Sequence, residues 1–247
     1  MKRVTQFAAV CVVCLLLTAG CTAPTNVPPS SPELTADDVT DTSALIQGHT
    51  DTLRSQPFTV RSTTTIRDTN NTFTATINRS WRVDPRQSVR ALAIRTPTAT
   101  GDAPRSYQQA PERISAWRHG NETTVRIESD TGVQVRQVQL LNTSVRLNRV
   151  LHRQLIYRYS TRQNTTVETL TRNGTQFYRV MANLNDTHVS SNASMTLLVN
   201  QRGYVQQIKT RQTVAYRSGP RVITETVRFS RVGNTRVKPP SWVETGS

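Results

Sequence analysis

Few residues in this 247-residue chain have the types and spacing that do chemistry. Cys11 and Cys14 are spaced like a metal or redox pair, but they lie in an apolar run where the thiolate is suppressed, so they read as small hydrophobes. Cys21 follows Leu17-Thr18-Ala19-Gly20, small residues that place a thiol at the end of that run. His49, His119, His152 and His188 are scattered without metal-ligand spacing. Glu168 and Glu225 fall in strand-like stretches, where a cross-strand partner for Arg is the plainer role than a catalytic carboxylate. No Gly-x-Ser-x-Gly, Ser-x-x-Lys, phosphate loop or His-Glu-x-x-His occurs. The chain therefore reads as non-enzymatic, with no catalytic residue, no metal ligand and no cofactor.

The apolar run explains Cys21. Lys2 and Arg3 form a positive start, and residues 4–17 have the length of a signal-peptide core, too short for a comfortable membrane span. With Ala19 and Gly20 before Cys21, the stretch resembles the lipobox of secreted lipoproteins, in which the Cys is lipidated and becomes the first mature residue. Thr18 stands where that pattern usually has Leu. An ordinary cleaved signal peptide and a short uncleaved anchor are the two blander readings. The lipobox reading makes residues 1–20 a signal peptide, Cys21 the lipid attachment site, and the outer face of the cell membrane the location.

Asn-x-Ser/Thr sequons occur at Asn70, Asn78, Asn121, Asn142, Asn164, Asn173, Asn185 and Asn192, eight of the fourteen Asn. That excess fits an exported, glycosylated surface, although Thr-rich turns also generate sequons freely. Asn70, Asn121 and Asn173 sit in turn sequences and are the best N-glycosylation candidates.

Charge is segregated along the chain. Residues 22–51 carry five acids and no base, whereas residues 52–247 carry 29 bases against 11 acids, within a net charge of +15. Nearly all the bases are Arg, spread over the strands rather than clustered with interleaved aromatics, which argues against a nucleic-acid partner, so none is expected. Three readings of the basic body stay open: attraction to anionic lipid, attraction to an anionic wall polymer, and a solvated sheet face written in Arg.

The elements follow from periodicity. Residues 21–33 are a Pro/Ser/Thr tether. Residues 34–247 form one domain. Thr35 caps a helix of about twenty residues, with Leu34 and Val39 as staple and Asp38 in the first turn. Val39, Thr42, Ile46, His49 and Leu53 form its apolar stripe, with His49 as a half-buried packing residue. Gly48 weakens this helix by about 1 kcal/mol, so it needs a surface to pack on.

From Phe58 the period becomes two. Phe58, Val60, Ser62, Thr64 and Ile66 alternate with a Thr/Arg face, and Phe73, Ala75, Ile77, Trp81 and Val83 continue the apolar phase, interrupted by Arg79. A short strand follows over 87–95, and the Pro-rich residues 96–111 read as a surface loop. A hairpin turns at Gly120-Asn121, one helix spans 144–158, and a second hairpin turns at Asn173-Gly174. Strands then run over 193–200, 204–217 and 221–232, before a Pro-Trp tail in which Trp242 covers an edge or end of the sheet. The expected fold is α+β: a curved, mostly antiparallel half-barrel of about ten strands. The N-terminal helix and one inserted helix cover its apolar face.

This order resembles the half-barrel lipoproteins of the lipoprotein-carrier type, LolA and LolB, and the mycobacterial lipid carriers LppX and LprG. It is similar in layout to secreted lipoproteins of halophilic archaea, which end as this chain does through Val232-Gly233-Asn234 and Pro240-Ser241-Trp242-Val243. The basic charge departs from the acidic habit of halophile proteins. The resemblance implies a cavity for acyl chains between sheet and helices, and hence a membrane-anchored protein that binds or carries a lipid or other hydrophobic ligand. The alternative is a cell-surface structural or interaction domain that uses a basic face on membrane or wall polymer. Partners are thus the membrane, through the lipid anchor, and an apolar ligand; the oligomeric state is left open.

Overall fold

A computed structural model describes residues 41–86, 90–139, 143–160, 165–184, 186–187 and 189–243. Cys11, Cys14, Cys21, the tether, the Thr35 cap, His188 and the sequons at Asn142, Asn164 and Asn185 lie outside these residues.

The first helix, α1, spans Thr42–Ser55. Its cap is Asp41, in extended backbone, whose carboxylate accepts from the Ala44 N–H at 2.9 Å. This corrects the expected start: the helix has 14 residues, because Asp41 supplies the side-chain acceptor that ends it. Leu45, Ile46, His49, Thr50 and Leu53 are its buried residues. Gly48 has a packing reason. A Cβ there would meet the Gly203 carbonyl oxygen at 3.2 Å, so the absent side chain lets the helix lie close against a turn of the sheet.

Eleven strands form one antiparallel sheet: β1 (Phe58–Asp68), β2 (Phe73–Asp84), β3 (Arg90–Gly101), β4 (Arg113–His119), β5 (Glu122–Ser129), β6 (Gly132–Gln139), β7 (Thr165–Arg172), β8 (Thr175–Leu184), β9 (Ser190–Asn200), β10 (Val205–Val214) and β11 (Arg221–Ser230). Their order is β6-β5-β4-β3-β2-β1-β11-β10-β9-β8-β7. Each strand thus pairs with its chain neighbour, except where β1 meets β11. The sheet is open, and β6 and β7 are its edges.

Two expectations about strands need correction. β6 is an eleventh strand; Val133 and Val135 share one phase but Val138 falls on the other, so no apolar alternation marks it. β3 runs on to Gly101 through the stretch expected to be a loop. Pro97 pairs with Ile77 of β2, while β4 pairs with β3 only over Arg90–Arg95. On that side Pro97 has no ladder neighbour to which an N–H could donate, so it is tolerated. A four-residue helix, α2 (Arg105–Gln108), follows.

Between the edge strands the chain crosses by two short helices, α3 (Thr143–Val150) and α4 (Arg153–Ser160), in place of the one helix expected. The break is at His152, which adopts a left-handed φ of 52°. Leu151 N still donates to the Leu147 carbonyl, and the His152 carbonyl starts α4 by accepting from Leu155 and Ile156.

Register assigns the faces, because residues directly opposite in the ladder share one. Val60, Trp81, Ala93, Ala116 and Val125 form one row across β1 to β5. Val60 belongs to the main core together with Leu45, Leu53, Phe58, Leu151, Ile156, Leu197, Ile208 and Phe229, so this row lies on the inner, helix-facing side. A smaller core at the other end of β1 joins Ile66, Phe73, Ala75 and Ala103. The tail returns along β1: Gly233 N donates to the Pro57 carbonyl, and the Thr235 hydroxyl meets that of Thr59 at 2.9 Å. Trp242 is half-buried.

Candidate functional site

The inner face is not uniformly apolar, and the Arg79 interruption seen in the sequence lies on it. Arg79 breaks the alternation of β2 because it points inward, in register with Ser62 on one side and Arg95 on the other. Glu225 faces Thr64 across β1–β11 and lies on the same side. A polar belt therefore crosses the middle of the inner face. Arg79 Nη1 donates to the Thr64 hydroxyl at 3.1 Å. Burial raises the Glu225 carboxyl pKa, and the nearby Arg79 charge offsets part of that rise. Burial and the Arg95 charge weaken the hold of Arg79 on its proton, and Glu225 opposes them.

Over this belt stands a cavity of about 850 Å³, bounded by α1, the α3–α4 break and the sheet. Ile46, Leu155 and Tyr157 give it apolar walls; Asn148, Arg149, His152, Arg153, Gln154 and Glu225 give it polar ones. Two buried polar atoms on its lining, His152 Nε2 and the Arg153 Nε donor, find no hydrogen-bond partner among the described residues. Beside the belt the inner face of β3, β4 and β5 carries small or aliphatic side chains: Ala91, Ala93, Ile114, Ala116, Val125 and Ile127. All six are half-buried, in contrast to the closed core over β8 to β11.

The histidines position this arrangement. His49 is fully buried rather than half-buried. Its Nδ1 accepts from the Val205 N–H at 3.2 Å, so Nε2 carries the ring proton and donates to the Leu151 carbonyl at 2.9 Å. Burial, the largest cause, lowers its pKa to about 4, and it is held neutral. The ring of His152 lies edge-on to Trp81 and to Phe229, and burial lowers its pKa to about 4 also. His119 is exposed at the end of β4. No cluster of His, Cys, Asp or Glu able to hold a metal occurs among the described residues.

Glu168 is the cross-strand partner of Arg179, at 3.0 Å and exposed. Asn70, Asn121 and Asn173 lie at the β1–β2, β4–β5 and β7–β8 turns, all exposed, and Asn173 has a φ of 49°. They occupy the ends of the sheet, away from the cavity. Asn78 faces outward, where its side-chain oxygen accepts from the Thr63 hydroxyl. Arg79 and Arg95 were not singled out as site residues. The signal for Arg79 was present, as the one charged residue in the apolar phase of β2.

These features define an open, curved, antiparallel half-barrel with helices on its inner side and a mixed polar and apolar cavity between them. Among solved structures, the chain is similar to LprF from Mycobacterium bovis at 10% identity and a TM-score of 0.41, covering 83% of this chain and 99% of that one. It is similar to a LolA superfamily protein from Nitrosomonas europaea at 11% identity and a TM-score of 0.29, over 79% and 94% of the two chains. The MucA/MucB complex of Pseudomonas aeruginosa matches at 14% identity and a TM-score of 0.35, over 81% of this chain and 59% of that one. No protein-family model and no curated protein matches the chain.

Proposed function

We propose that the protein is an extracytoplasmic lipoprotein, held on the outer face of the cell membrane by lipid on Cys21, and that it binds an amphiphile in the cavity between the broken helix and the sheet. The observation that carries the reading is the cavity of about 850 Å³ beside a half-exposed row of small side chains. Its volume lies in the range of roughly 300–1,000 Å³ used for small-molecule ligands. Ala93 and Ala116 leave room where larger residues would close the core, so the row takes the apolar part of the ligand. Arg149 and Arg153 of the lining, with Arg79 and Arg95 in the belt of the same inner face, outnumber Glu225, which favours an anionic head. The unpartnered Nε–H of Arg153 is suited to the same head. The sequons at Asn70, Asn121 and Asn173 lie clear of the cavity, so glycans there leave it open.

The test is native mass spectrometry of the full chain after incubation with mixed lipid extract. A stoichiometric lipid is expected. Ala93→Trp and Ala116→Trp fill the row and are expected to reduce bound lipid by about tenfold, the order of 1.4 kcal/mol, while the thermal transition persists. A wild-type chain that stays free of lipid in every extract overturns the reading.

A further inference from the structure

The outer face of the central strands carries a second feature. On β10, β11, β1 and β2 the exposed side chains of that face include Arg61, Arg67, Arg82, Lys209, Arg211 and Arg228. Thr63, Thr65, Thr76, Thr224 and Thr226 fill the rows between them. One carboxylate shares the face, Asp84 at the end of β2, and Arg86 occupies it through bonds of 2.9 and 3.0 Å.

Arg61 and Arg228 are direct cross-strand partners. Like charges directly opposite one another in an antiparallel ladder oppose pairing. None of the ion pairs among the described residues includes either one. The fold thus tolerates a repulsion at its central seam that a single acid would remove. Further along the same strands, Arg67 and Arg211 flank a hollow of about 320 Å³ floored by Thr65 and Thr224. Asp68 also lines this hollow, but its carboxylate is turned to its own turn, accepting from Phe73 N and the Thr72 hydroxyl.

We infer that this face binds a linear acidic polysaccharide, with carboxylate or sulfate groups on the basic side chains and sugar hydroxyls on the Thr rows. The groups form a track. Arg61 and Arg67 lie six residues apart on one strand, about 20 Å at 3.3 Å per residue. The face offers nothing for a bilayer to take up, since its sole apolar side chain on these strands, Val222, is half-buried. It offers no aromatic for a nucleobase to stack on. Repeated anions along the track would relieve the Arg61–Arg228 repulsion, giving binding without any apolar contact.

The experiment measures binding of fluorescently labelled polygalacturonate to the full chain by anisotropy, across a salt series. Affinity is expected to fall linearly with salt on a double-logarithmic plot, and Arg61→Gln with Arg211→Gln to weaken binding about tenfold at low salt. Arg61→Gln alone is expected to raise the melting temperature in the absence of polymer, a readout that loss of binding through misfolding would reverse. A charge-matched control, Arg172→Gln with Arg202→Gln at the turns, is expected to leave affinity unchanged. Equal loss in the control, or no loss in the outer-face variant, overturns the proposal. So does tighter binding to phosphatidylglycerol vesicles or single-stranded DNA than to the polymer, lost in the same variant, which would make the face a membrane or nucleic-acid surface instead.

Discussion

His49 Nε2 donates to the Leu151 carbonyl across a sequence separation of 102 residues, and this bond joins the first helix to the break between the crossover helices. The other ring nitrogen accepts from Val205 N, so one imidazole ties α1, the crossover and the start of β10 together. Replacing His49 with Phe keeps an aromatic ring of similar bulk but leaves a buried N–H and a buried C=O unpaired. The expected cost is about 3 kcal/mol, from roughly 1–3 kcal/mol for each orphaned group. Denaturant unfolding of His49→Phe checks it, and a loss under 1 kcal/mol would mean that water or repacking replaces both bonds.

The same burial fixes a pH dependence. The folded protein holds His49 neutral down to about pH 4, whereas the unfolded chain protonates it near its ordinary value of 6.5. Between these values the unfolded state binds more protons, so stability is complete above pH 6.5 and falls as pH drops toward 4. The full shift corresponds to about 3 kcal/mol for His49, at 1.36 kcal/mol per unit. His152 acts in the same direction. Glu225 acts against it, because its raised pKa makes the folded state the better proton binder as pH falls. Melting temperatures from pH 7 to pH 4.5 are expected to decline, with a shallower slope in His152→Phe.

Arg79 and Glu225 are coupled within the polar belt of the inner face. Arg79→Met removes the charge that offsets the burial of the carboxyl, so the Glu225 pKa is expected to rise further above its ordinary value. Carbon-detected NMR titration of the Glu225 side chain reads this directly. An unchanged titration would show that the two charges do not sense each other.

Gly101 and Gly120 separate two kinds of glycine requirement. Gly101 has a φ of 70°, and a Cβ there would overlap the Thr72 carbonyl oxygen. Gly120 has a φ of 59° with open space around it. Gly120→Ala is expected to cost about 1 kcal/mol, from left-handed strain alone. Gly101→Ala adds backbone displacement and is expected to cost about 3 kcal/mol, the upper end for one strained residue. Thermal melts of the two variants rank them.

Glu168 on the edge strand β7 and Arg179 on its neighbour β8 face each other in an exposed pair. A double-mutant cycle to Ala is expected to return no more than about 0.5 kcal/mol, as solvated ion pairs do. A larger value would mean that the pair fixes the β7–β8 register.

Much of the sheet was legible because alternation is strong where one side is buried. Phe58, Val60 and Ile66 against Arg61 and Arg67 leave little freedom for the face or register of β1. β6 escaped because an edge strand with exposed Val133 and Val135 buries little, so its sequence carries weak contrast. Pro97 misled for a different reason: proline forbids a central ladder, and the sequence does not say that β4 stops short of it. The crossover helix reads as continuous because Leu147, Val150, Leu151 and Leu155 keep helical spacing. The break depends on a hydrogen bond from His49, far away in the chain. The cavity was the least legible part. Arg79 marked it, but only the β2–β3 and β1–β11 registers bring Arg95 and Glu225 beside it.

The pairing of β1 with β11 has a consequence for how the chain assembles. Residues 58–139 and 165–230 are each a run of nearest-neighbour hairpins, which close locally and quickly. The seam between them joins the two ends of the domain and carries the largest loop-closure cost, so it sets the folding rate. A chain cut within the crossover keeps every hairpin intact. Its two fragments have one strand-to-strand seam to recover, which makes the domain a natural two-piece complementing system.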